Sequence, residues 1–71
     1  MFDKSKFKYH VDKAGKNLED VANAVGINPA TLTRKMSGES DFTRNEIQLI
    51  RNYLKLSVND AEDIFFKQKL T

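Results

Sequence analysis

The chain has 71 residues, with 12 lysines and arginines against 10 aspartates and glutamates, a formal net charge of +2, and no cysteine. A chain this short makes one domain with no room for a second core, and it buries only roughly 60% of its unfolded surface, so self-association is expected to supplement stability. Disulfides and thiolate metal sites are excluded, and no apolar run approaches a membrane span or the hydrophobic region of a signal peptide, so a cytoplasmic protein is expected.

The first helix is predicted from near Asp3 to about Lys13, with Phe7, Val11 and Ala14 at i, i+4 and i+7 and Gly15 marking its end. Its segment is basic, holding Lys4, Lys6, Lys8, Lys13 and Lys16 against Asp3 and Asp12. His10, the only histidine, lies beside the apolar stripe, where it lines the core edge; a lone imidazole excludes a histidine metal cluster or a histidine-based catalytic pair. Asn17 caps a second helix, in which Glu19 and Asp20 occupy the first turn and Val21, Ala22 and Val25 form the buried stripe. Gly26 ends it.

Asn28-Pro29 opens the third helix, because proline suits the first helical position and pushes the residue before it out of the α region, as a cap requires. Leu32 and Met36 form its buried edge and Gly38 stops it. Thr43 and Glu46 have capping-box spacing ahead of Ile47, Ile50 and Leu54, which predicts the fourth helix. Ser57 then caps a fifth, with Asp60 completing a weaker box and Ala61, Ile64 and Phe65 facing inward. The acids Asp60, Glu62 and Asp63 face only Lys67 and Lys69, so the far end offsets the basic start. No alternating apolar pattern bounded by hairpin turns competes, and the fold class is all-α, a compact five-helix bundle.

Residues 17–38 are the most informative stretch, since two short helices joined by a turn of a few residues form a helix-turn-helix. Many small helical domains contain such a pair for packing alone. The third helix points further, because its other faces carry Ala30, Thr31, Thr33, Arg34, Lys35 and Ser37, and no acid occurs from Asn28 to Gly38. Small groups, hydroxyls and cations can meet base edges and phosphates, whereas a carboxylate would be repelled. Arg34 can donate two hydrogen bonds to the O6 and N7 of guanine. No nucleophile, base or paired carboxylate points to an enzyme or a small-molecule substrate, and no cofactor is expected.

The chain resembles the Cro/repressor-type helix-turn-helix regulators of bacteria and their phages. The likeness rests on Ala22-x-x-x-Gly26, Ile27, Asn28 and the run from Thr31 to Gly38. It continues through Phe42-Thr43-x-x-Glu46-Ile47, Leu54-x-Leu56-Ser57 and Ile64-Phe65-Phe66, which is similar to the short single-domain regulators of Gram-positive prophages. The resemblance implies a lambda-repressor-like DNA-binding domain spanning 1–71, a transcription regulator occupying a pseudo-palindromic operator in double-stranded DNA as a homodimer. On that reading Ala30, Thr31, Thr33 and Arg34 read bases, while Lys16, Asn17, Asn28, Lys35, Ser37 and Arg44 hold phosphates. Leu18 and Pro29 depart from the pattern, standing where many relatives have base-reading glutamines, so specificity shifts to Ala30, Thr33 and Arg34. Phe66 turns about 100° away from Phe65 on a helix and is expected at the dimer surface. The alternative is a module of the same fold that docks another regulator through its terminal aromatics.

Overall fold

The computed structural model describes residues 2–66, so Met1 and residues 67–71, which include Lys67 and Lys69, lie outside it. Its elements are α1 (Lys4–Lys13), α2 (Leu18–Val25), α3 (Pro29–Ser37), α4 (Arg44–Leu54) and α5 (Val58–Phe65), and no strand occurs among the described residues.

Each helix opens on a side chain that accepts an otherwise unpaired backbone N–H. Asp3 accepts from the Lys6 amide at 3.1 Å, Asn28 from Ala30 at 2.7 Å and Ser57 from Asp60 at 3.0 Å. Thr43 and Glu46 form the expected reciprocal box, at 3.1 and 2.8 Å. A second full box, Asn17 with Asp20 at 2.8 and 2.9 Å, adds to the Asn17 cap read from the sequence. The box expected at α5 is only half formed: the Asp60 carboxylate turns toward α1 and lies 3.9 Å from Nε2 of His10.

Glycines mark the ends of the first three helices but not of α4 or α5. Gly26 and Gly38 take left-handed φ values of 83° and 91°, but α4 ends on Lys55 at φ 55°, a conformation that is strained for a residue with a side chain. Ala14 departs from its expected place in the α1 stripe. It is the exposed C-cap, because the chain leaves the helix at Lys13 before another turn can face the core.

Hydrophobic pairs flank most of these caps. Phe2 and Phe7, Ile27 and Leu32, Phe42 and Ile47, and Leu56 and Ala61 each occupy the positions before the cap and four into the helix, the placement of a hydrophobic staple. Phe2 does most with this position, with ring centroids 5.2 Å from Phe7, 5.0 Å from Phe42 and 5.5 Å from Phe65. The start of the chain is thereby clamped to the α3–α4 loop and to α5. α1 runs antiparallel to α5, joined by the Asp3 amide to the Ile64 carbonyl at 2.6 Å and by Lys6 to Asp63 at 3.1 Å. Phe7, Val21, Ala22, Ile50 and Ile64 are fully buried, and α2 packs on both α3 and α4. This layout holds α3 against the core along one edge and leaves its other side to solvent.

Candidate functional site

The α2–α3 junction is built by local chemistry. The Gly26 amide donates to the Ala22 carbonyl at 2.9 Å and the Ile27 amide to the same carbonyl at 3.0 Å, which closes α2 within one turn. Asn28 is extended at φ −69°, ψ 142°, and Pro29 begins α3 at once. Three residues, Gly26 to Asn28, therefore separate the two helices.

At about 100° per residue, one side of α3 is made by Leu32 and Met36, 1% and 5% exposed, Ala30, Arg34 and Ser37 lie on the opposite side, and Thr33 lies exposed beside them on one flank. Ala30, Arg34 and Ser37 are likewise exposed. Thr31, expected among the base readers, is half-buried on the other flank.

The polar groups differ in what they have left to offer. Thr33 donates its hydroxyl to the Pro29 carbonyl at 3.1 Å. Arg34 is exposed and its guanidinium makes no hydrogen bond or ion pair with the described residues. Ser37 donates to the Arg34 carbonyl at 3.0 Å and lies 3.4 Å from a Glu39 carboxylate oxygen. Its proton is thus committed within the chain, with an acid beside it, which disfavours the phosphate role expected of Ser37.

Lys35 requires a larger correction. Its ammonium, on a side chain 11% exposed, donates to the Asp41 carbonyl at 2.9 Å and pairs with Oε1 of Glu46 at 3.0 Å. Glu46 in turn accepts from the Thr43 amide, so one carboxylate ties the end of α3, the following loop and the start of α4 together. Lys35 holds α3 in place, with two of its three ammonium N–H groups committed inside the fold. Local spacing had no means of revealing this, because Lys35 and Glu46 meet only when the loop folds back.

The remaining expected phosphate ligands lie at the starts of α2, α3 and α4 and just before α2. Asn17 and Asn28 use their side-chain oxygens as caps and keep their amide nitrogens as donors. Lys16 is exposed, with its ammonium 5.3 Å from the Tyr53 ring centroid. Arg44 is exposed at the first position of α4, where the helix dipole disfavours a cation unless an anion is near.

Burial pushes the Glu46 carboxyl up, but the Thr43 amide and the Lys35 ammonium outweigh it and hold the carboxyl below the ordinary glutamate range. Because the folded value is depressed, this contribution to stability is present at neutral pH. It is lost as pH falls from the ordinary glutamate value through the depressed one. Glu46→Gln is expected to flatten the acid side of a melting-temperature profile, and Lys35→Met to lower the neutral-pH stability by about 1–2 kcal/mol. Parallel acid limbs for wild type and Glu46→Gln would remove the pair as the cause.

Comparison of the chain with protein-family models, with curated proteins and with solved structures gives no match.

Proposed function

We propose that the chain is a sequence-specific, duplex-DNA-binding regulator of transcription, of the Cro/repressor type found in phages and prophages. In this reading α2 and α3 form a helix-turn-helix, α3 lies in the major groove, and regulation is by operator occupancy. The observation that carries it is the outward side of α3, which holds an unspent guanidinium and, within the helix itself, no acid. Exposed Lys16, Asn17, Asn28 and Arg44 are donors that would hold phosphates and position the helix while Arg34 contacts a base.

The test is retention of duplex DNA across a salt series. Affinity should fall linearly on a log-log plot with a slope of about −0.9 per phosphate contacted, and one sequence class should be enriched from a random pool. No retention at low salt would end the proposal.

A homodimer on a pseudo-palindrome belongs to the same reading. Phe66 is 59% exposed at the end of α5 and Val58 57% exposed at its start, an apolar surface on a domain with a small core. Phe66→Ala is expected to raise the dimer dissociation constant about 10–100-fold while leaving the melting temperature of the isolated fold nearly unchanged. Sedimentation equilibrium checks this. A wild-type monomer at tens of micromolar, together with capture of a different regulator through the same ring, would favour the protein-interaction module instead.

A further inference from the structure

We infer that α3 reads thymine methyl groups next to a guanine, with Ala30 and Thr33 contacting the methyls and Arg34 the guanine; the inference rests on the DNA-binding reading above. It comes from the donors that the outward side of α3 has already spent. Of Ala30, Thr33, Arg34 and Ser37, the first has none. Thr33 turns its hydroxyl back along the helix to the Pro29 carbonyl at 3.1 Å, and Ser37 turns its own to the Arg34 carbonyl at 3.0 Å.

What Thr33 then presents is its γ-methyl, three residues from the methyl of Ala30 and so on the same stretch of helix surface. The groove-facing surface is two methyl groups beside one planar cationic fork. Each base pair shows a distinct pattern in the major groove, and thymine alone offers an apolar group there, its C5-methyl. Seating Ala30 and the Thr33 γ-methyl over the amino group of cytosine or adenine would bury a donor against carbon alone. Guanine offers the two acceptors that the Arg34 fork fits. Thr33 is therefore a specificity-determining residue through its carbon, not its oxygen.

A hydroxyl-reading Thr33 is the competing arrangement, since Oγ1 retains lone pairs able to accept from adenine N6 or cytosine N4. The two separate cleanly. The full chain is used to enrich duplexes from a random pool, and each thymine of the enriched site is replaced in turn by deoxyuracil, which removes the methyl and preserves pairing. Binding is expected to weaken about fourfold at each of two positions per half-site, the effect of one buried methyl. Thr33→Val should keep both the affinity and the methyl dependence, whereas Thr33→Ser should abolish the dependence at one position while melting like wild type.

An enriched duplex indifferent to every deoxyuracil replacement would overturn the inference and leave DNA binding standing. So would a Thr33→Val protein that folds normally but binds tenfold or more weakly. Failure to enrich any sequence would overturn this inference and the proposed function together.

Discussion

Phe7→Ala is expected to leave little folded protein. Phe7 is 0% exposed, the largest of the fully buried side chains, and its ring packs 5.2 Å from that of Phe2, which in turn reaches Phe42 and Phe65. Truncating a buried phenylalanine costs about 3–5 kcal/mol through lost transfer energy and the cavity left behind. A domain of 71 residues has a total stability of only about 4–11 kcal/mol. The melting temperature should therefore fall by tens of degrees or the transition vanish, followed by far-ultraviolet circular dichroism. The proposed DNA binding would be lost with it, although α1 does not carry the proposed contact surface. A melt within a few degrees of wild type would mean that α1 stands outside the cooperative unit.

Arg34→Ala is expected to weaken specific binding by about 1–3 kcal/mol and to relax preference at one base pair, with no loss of stability. Nothing in the fold leans on this guanidinium: it is exposed and unpaired among the described residues, so truncation removes only what it gives to a partner. Arg44→Ala provides the contrast. In the proposed complex this exposed cation at the start of α4 meets phosphate, so its loss should weaken all sequences about equally and reduce the log-log salt slope by about one unit. Competition binding on the enriched and on random duplex, each at several salt concentrations, separates the two. Equal losses on both duplexes for Arg34→Ala would make Arg34 a phosphate anchor and leave the site without its base-reading donor.

The helices were legible in the sequence because their start and stop signals are local. Asn17, Asn28, Thr43 and Ser57 each act within three residues of their own position, and Gly26 and Gly38 end helices through their own backbone freedom. The buried edge of α3 was legible for the same reason, since the i, i+4 spacing of Leu32 and Met36 determines which side must face the core. The staple pairs around four caps were present in the same spacing rules, although the reading used only the caps.

Tertiary structure decided what each polar side chain had left to give. A lysine on α3 reads in sequence as one more cation for a phosphate, yet Lys35 is paired with Glu46 because the loop through Asp41 returns the start of α4 beneath it. Asp60 leaves its capping box for His10 because α5 lies antiparallel on α1, a neighbour 50 positions away in the chain. Ser37, by contrast, is claimed locally, by the Arg34 carbonyl three residues before it and by Glu39 two residues after it. Propensity and periodicity operate over one or two helical turns and so determine the elements and their inward faces. Hydrogen-bond donors are finite, and only the packed arrangement of all five helices settles which remain unspent at the surface.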